Sequence, residues 1–169
     1  LSMPGGALRG VGFASAEDRP RFFMAYSNGV ARFVNAHDGG ASVSVRDTSG
    51  AAHGGIASTW LSREGDRALT VFGDGLTRVW NVTPQSGGTL LCNLLPWEVG
   101  ASPPRTVRRR VDAVLSRNGE RVITIADGGA RVWSVEGGGR PLATLEEPGS
   151  VIRSAGFLDD AGDRVRLLA

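Results

Sequence analysis

The stretch VLSRNGERVITIADGGARVWSV, Val114 to Val135, decides the fold, because the same chain carries a second version of it. That version is WLSREGDRALTVFGDGLTRVWNV, Trp60 to Val82, with one extra residue near the turn at Asp74. Both copies contain the tripeptide Arg-Val-Trp, which ends at Trp80 in one and at Trp133 in the other. A unit that recurs at a period of about 20 to 50 residues indicates a repeat architecture.

Two further copies extend the pattern over the chain. FLDDAGDRVRLLA, at 157–169, matches 114–126 without a gap, and a weaker copy, FASAEDRPRFFMAYSNGVARFVNA, occupies 13–36. The copies begin at Phe13, Trp60, Val114 and Phe157, at spacings of 47, 54 and 43 residues. The shortest spacing corresponds to the unit without insertions.

Each unit is predicted to form four short strands joined by hairpin turns. Polar turns with Asn-Gly chemistry, such as Ser116 to Gly119, separate the strands. First strands are predicted at 8–13, 56–61, 111–115 and 152–158, second strands at 67–72 and 121–126, and last strands at 90–95 and 142–145. Four hairpin-linked strands per repeat of this length make one blade of a β-propeller.

The motifs resemble those of a WD-repeat β-propeller, particularly its bacterial forms. The resemblance rests on Leu-Ser-x-x-Gly-x-Arg, then Asp-Gly, then Arg-Val-Trp, and it covers nearly the whole chain apart from the insertion at 83–108. The family's Trp-Asp dipeptide appears as Trp80-Asn81, Trp133-Ser134 and Val34-Asn35, and its Gly-His is missing. We therefore expect the family's Asp-His-Ser/Thr-Trp network to be incomplete and apolar packing to hold the blades together.

The predicted fold is thus all-β, a single propeller segment over 1–169 with about three and a half blades. The predicted bounds are about 7–47 for blade 1, 54–96 for blade 2 with an inserted loop at 97–107, 108–146 for blade 3, and 150–169 for a half blade. Propellers need roughly four to eight blades to close and so hide their sheet edges. Either more chain outside these residues or a second copy, forming a seven-bladed homodimer, would complete the ring.

The repeated aromatic residues are expected to be structural. Trp80 and Trp133 should each pack between their own sheet and a neighbouring blade, a burial worth about 1.5–3 kcal/mol on apolar area. The arginines two positions before them, Arg78 and Arg131, are expected to reach the rim. Trp60 is the aromatic residue that opens the second unit.

Three arginines are candidates for binding a partner. Arg9, Arg110 and Arg153 each stand four residues before the start of a copy. In the family the first strand lines the central channel, so the resemblance implies a basic ring there that would bind an acidic or phosphorylated segment through bidentate contacts. The alternative is that these arginines are paired with Asp74 and Asp127 of adjacent turns.

The inserted loop is a second candidate binding feature. It carries Trp97, two prolines and then clustered arginines, and Trp and Arg are enriched among binding hot spots. The alternative is that Trp97 folds back on its own blade.

Catalytic and cofactor chemistry finds little support in the sequence. His37 and His53 lack a ligand pattern around them, so neither a metal nor another cofactor is predicted. The chain contains no lysine and therefore no phosphate-binding loop of the Gly-Lys-Ser/Thr type. The serines of LSREG and LSRNG recur with the repeat, which indicates turn hydrogen bonding, and Cys92 has the apolar neighbours of a buried thiol.

Composition sets the broad class. A formal charge of +2 does not indicate nucleic-acid binding, no apolar run or leader indicates a membrane, and a single cysteine favours a reducing, cytoplasmic setting. The predicted function is a non-catalytic protein-interaction or sensing platform, part of a larger bacterial signalling or defence protein. Two alternatives stay open, a half-propeller that homodimerises and a ligand-binding subunit that accompanies an enzyme.

Overall fold

A computed structural model describes residues 5–14, 20–36, 42–46, 54–95, 111–126, 129–146, 149, 151–159 and 164–168. None of these residues belongs to an apolar helix of bilayer-spanning length. The first eight strands are β1 Leu8–Ala14, β2 Arg21–Tyr26, β3 Val30–Asn35, β4 Val43–Arg46, β5 Ile56–Leu61, β6 Arg67–Phe72, β7 Thr77–Asn81 and β8 Thr89–Leu94. The next six are β9 Asp112–Leu115, β10 Arg121–Ala126, β11 Gly129–Ser134, β12 Arg140–Leu145, β13 Ser154–Phe157 and β14 Val165–Leu168.

The strands form four antiparallel sheets in chain order. Sheet 1 is β1-β2-β3-β4, sheet 2 is β5-β6-β7-β8, sheet 3 is β9-β10-β11-β12, and sheet 4 is the pair β13-β14. The predicted strands at 56–61, 67–72 and 121–126 have the observed bounds, and the other predicted strands differ by one or two residues at one end or at both. The all-β prediction is confirmed.

Serine side chains close the hairpins between first and second strands. The backbone N–H of Ser62 donates to the carbonyl of Arg67 at 2.9 Å, and its Oγ accepts from the N–H of Arg67 at 3.1 Å. Ser116 makes the same two bonds with Arg121, both at 2.9 Å. Because these hydroxyls are engaged in the turns, the structure confirms the turn role predicted for the repeated serines.

Successive sheets lie side by side with their first strands together. Contacts join β1 to β5, β5 to β9 and β9 to β13. At the other side of sheet 3, five of the six residues of β12 are exposed to solvent. First strands on a shared inner side and fourth strands outside are the arrangement of propeller blades.

Each pair of neighbouring sheets encloses its own apolar core. Second strands supply two cores with alternate residues, as the strand pleat requires. Ala68 lies in the core shared with sheet 1, whereas Leu69 and Val71 lie in the core shared with sheet 3. Sheet 3 repeats this division, with Val122 on one side and Ile123 on the other.

Glycines in the turns set how closely neighbouring sheets approach. A Cβ at Gly65 would lie 2.9 Å from Cδ of Arg21 in sheet 1, and a Cβ at Gly119 would lie 2.6 Å from Cγ of Arg67 in sheet 2. At both turns, the arginine that begins a second strand packs against the turn glycine of the next sheet. The contact between sheets therefore repeats along with the sequence.

Candidate functional site

The repeated tryptophans are paired with threonines of the adjacent strand. Nε1 of Trp80 donates to Oγ1 of Thr70 at 2.9 Å, and Nε1 of Trp133 donates to Oγ1 of Thr124 at 2.8 Å. Both indoles are buried, Trp80 in the core between sheets 1 and 2 and Trp133 in the core between sheets 2 and 3. Both indoles therefore pack between neighbouring sheets, and the network that was expected to be incomplete keeps its threonine–tryptophan hydrogen bond in sheets 2 and 3.

Sheet 1 has other residues at both of these positions. The strand register places Met24 where Thr70 lies and Val34 where Trp80 lies. Sheet 1 therefore lacks both the threonine and the tryptophan. A buried tryptophan N–H needs an acceptor, and a valine does not.

The arginine of the tripeptide does not behave as predicted in sheet 2. Arg78 was expected at the rim but is buried, with its guanidinium carbon 5.2 Å from the ring centre of Phe72, and its Nε donates to Oδ1 of Asn93 at 3.0 Å. The aromatic rings and the amide shield the cation, so it need not reach water. Arg131 in sheet 3 is half-buried, and Trp60 is exposed on β5.

The candidate basic ring is described at two of its three positions. Arg9, on β1, and Arg153, just before β13, are both exposed. Arg110 lies outside the described residues. Since β1 and β13 are the first strands of repeated units, their starts lie at equivalent ends of sheets 1 and 4.

The acidic turn residues and the inserted loop are less fully described. Oδ1 of Asp74 accepts from the backbone N–H of Leu76 at 3.0 Å, so this exposed carboxylate stabilises its own turn. Asp127 and Trp97, together with the rest of the predicted loop at 97–107, lie outside the described residues. The structure therefore leaves the docking role of Trp97 as a prediction.

A buried arginine that the sequence analysis did not single out lines a cavity between sheets 1 and 2. Arg21 is only 7% exposed, and its Nη1 donates to the carbonyl of Gly65. Burial lowers its pKa from the usual value, and the nearby carboxylate of Asp66 acts in the opposite direction. The cavity, of about 250 Å³, is also lined by Asn35, Glu64, Asp66, Thr83, Pro84 and Gln85.

The sequence carried one signal for this position. An arginine begins the second strand in the first three units and directly precedes it in the fourth. This arginine follows an acidic residue in the last three units but Pro20 in the first. The departure at Pro20 marks Arg21 as different from its equivalents. Its burial depends on sheet 2, which the pattern of a single unit does not reveal.

The structure shows no metal-binding cluster in the part of the chain that it describes. No three His, Cys, Asp or Glu side chains among those residues are grouped to hold an ion. His37 and His53 lie outside them.

Cys92 lies in the core between sheets 2 and 3, and burial raises the pKa of its thiol to about 11. Because the thiolate is the reactive form, we expect a colorimetric disulfide reagent to label the folded protein very slowly at mildly alkaline pH. Labelling should be complete once guanidinium chloride unfolds the chain. As a control, Ser44→Cys at an exposed position of β4 should be labelled at once, and rapid labelling of native Cys92 would contradict its burial.

Comparisons with solved structures place this arrangement among WD40 β-propellers. The C-terminal WD40 domain of Sif2 matches 98% of the chain with a TM-score of 0.65 and 18% identity, and the chain covers 44% of that structure. The β-propeller domain of Cps50 (Swd1) from Myceliophteria thermophila matches 89% with a TM-score of 0.62 and 16% identity, over 46% of that structure. Hsv2 of Kluyvelomyces marxianus matches 88% with a TM-score of 0.59 and 15% identity, again over 46%.

Neither a protein-family model nor a curated protein sequence matches the chain. The chain spans less than half the length of each of these three structures. Its fold is that of a WD40 β-propeller, and the described residues form an open arc of three four-stranded blades and one two-stranded half blade. At these identities the likeness establishes the fold, and function has to be argued from the residues.

Proposed function

We propose that this chain is a non-catalytic platform that binds an acidic or phosphorylated segment of a protein partner. The observation that carries the proposal is the exposure of Arg9 and Arg153 at equivalent positions of sheets 1 and 4. Arginine recognises carboxylate and phosphate groups with two parallel hydrogen bonds, so arginines repeated at the same end of successive sheets suit an extended acidic ligand. Arg110, the equivalent residue of sheet 3, would complete the surface.

The described side chains favour binding over catalysis. Ser62 and Ser116 are engaged in their turns, and the raised pKa of Cys92 keeps its thiol protonated at neutral pH. A nucleophile needs an adjacent base or a lowered pKa to act. These three side chains therefore have structural roles.

The test is a charge reversal of the arginine surface. Wild-type chain should bind a glutamate-rich peptide and its phosphoserine-containing counterpart, and the Arg110→Glu/Arg153→Glu variant should bind both about tenfold or more weakly, by fluorescence anisotropy. Arg46→Glu/Arg140→Glu makes the same change in net charge at exposed positions of the outer strands β4 and β12. Equal losses in the two variants would show that net charge alone governs binding and would contradict the proposal.

The same proposal extends to the protein that contains this arc. We place the chain in a larger bacterial signalling or defence protein of the cytoplasm, with blades at the predicted bounds and the loop at 97–107 as a second docking element. Support comes from the comparison structures, which contain about as much propeller again as this chain covers. The additional blades would cover the apolar residues exposed on β1, which are Leu8, Val11 and Phe13.

The homodimer is the second candidate, and the same exposed residues favour it. A second copy would cover apolar surface at both ends of the arc. It would, however, bring another β13-β14 pair, which is the inner half of a blade, and not the third and fourth strands that sheet 4 needs. We therefore favour the larger protein over the homodimer.

A further inference from the structure

The cavity between sheets 1 and 2 contains an unsatisfied buried donor. Arg21 is more than nine-tenths buried, and its Nη1 is bound to Gly65. Its Nη2 is also buried and has no hydrogen-bond partner among the described residues. Buried guanidinium donors without an acceptor are costly, so such an atom beside a cavity points to a ligand that supplies one.

The equivalent arginine of sheet 2, Arg67, has a carboxylate partner on the residue that precedes it. Nη1 of Arg67 lies 3.2 Å from Oδ2 of Asp66, the residue that precedes it in the sequence. The corresponding pairs Glu120-Arg121 and Asp163-Arg164 keep an acidic residue at that position. In sheet 1 the position is Pro20, so the adjacent residue provides no carboxylate for Arg21.

Two carboxylates, those of Glu64 and Asp66, also line the cavity and determine which charges a ligand can carry. Glu64 is exposed, and Asp66 is half-buried. The Asp66 oxygens already accept from Ser62 Oγ at 2.7 Å and from Arg67 at 3.2 Å. A simple anion would be repelled by these carboxylates and a simple cation by Arg21, whereas a molecule carrying both charges complements both walls.

We propose that this cavity binds a small zwitterion of the α-amino-acid class. Its carboxylate accepts from Nη2 of Arg21, and its ammonium group lies against the carboxylates of Glu64 and Asp66. Asn35, Thr83 and Gln85 supply further polar groups around the cavity, and its volume of about 250 Å³ suits a ligand smaller than most drug-like molecules. The site uses none of the arginines of the proposed peptide-binding surface, so either proposal can fail without the other.

The experiment measures saturable binding of L-alanine to the chain by saturation-transfer NMR, with acetate and ethylammonium as single-charge probes. We expect L-alanine to bind and both single-charge probes to bind about tenfold or more weakly. Acetate binding as tightly as L-alanine would show a plain anion site and overturn the proposal. The absence of saturable L-alanine binding would overturn it as well.

Variants then assign the two ends of the ligand. Arg21→Lys replaces the planar guanidinium group, which can donate two parallel hydrogen bonds, with an ammonium group. Glu64→Gln removes a negative charge at an exposed position, where the substitution should not affect folding. Each should weaken L-alanine binding about tenfold. Arg121→Lys and Glu136→Gln, the same substitutions in sheet 3, should leave binding unchanged, and an unchanged affinity in Glu64→Gln would contradict the placement of the ammonium group.

Discussion

Replacing Trp133 with alanine is expected to lower the free energy of unfolding by about 3–5 kcal/mol, the range for deleting a buried tryptophan from a core. The indole is 5% exposed and belongs to the core between sheets 2 and 3. Its removal leaves a cavity, and it also removes the donor bound to Thr124. Urea denaturation followed by circular dichroism measures the change, and a loss below about 1 kcal/mol would contradict the central role of this residue.

A double-mutant cycle separates packing from hydrogen bonding at the same position. Thr124→Val alone leaves the indole N–H buried without an acceptor, which costs about 1–3 kcal/mol. In Trp133→Phe/Thr124→Val both polar partners are gone, so the double variant should be more stable than the sum of the two single losses implies. Additive losses would indicate that the 2.8 Å hydrogen bond contributes no coupling.

The second large effect is expected at a turn where two sheets meet. Gly139, in the turn before β12, has a φ of 85°, and a Cβ there would lie 2.9 Å from Cδ2 of Leu94 and 3.0 Å from the carbonyl oxygen of Asn93. Gly139→Ala combines left-handed backbone strain with overlap against β8 of the neighbouring sheet. We expect a loss of about 2–4 kcal/mol in the free energy of unfolding.

Gly138 provides the matched control for this substitution. Its φ is 68°, but a Cβ there would meet no atom within 4 Å. Gly138→Ala should therefore show only the cost of the backbone conformation, about 1 kcal/mol. If the two alanine variants lose the same stability in urea denaturation, the contact between sheets 2 and 3 at this turn does not constrain the fold.

The sequence predicted those features that a single unit determines. Strand positions follow from short apolar runs bounded by turns such as Asn-Gly and Asp-Gly, which is why 67–72 and 121–126 were predicted with the correct bounds. The burial of Trp80 and Trp133 followed from the repeated tripeptide, because side chains that pack alike recur alike. The turn role of Ser62 and Ser116 followed from the same argument.

The environments of two arginines were not predicted from the sequence. Arg78 occupies the same repeat position as Arg131, yet Phe72 and Asn93 of its own sheet give it a buried environment. Arg21 resembles Arg67, but the turn of the next sheet and the change to Pro20 make it the buried residue of a cavity. Repetition of a motif predicts its strands and turns, whereas the residues that surround each copy determine the environment of its side chains.

The division of β6 and of β10 between two cores has a consequence for how such chains change in evolution. Both strands are six residues long. A single inserted residue within one of them would exchange the side chains that face the two cores, whereas insertions in connections leave both faces in place. We therefore expect this architecture to tolerate insertions and deletions in its connections better than changes in the length of these two strands.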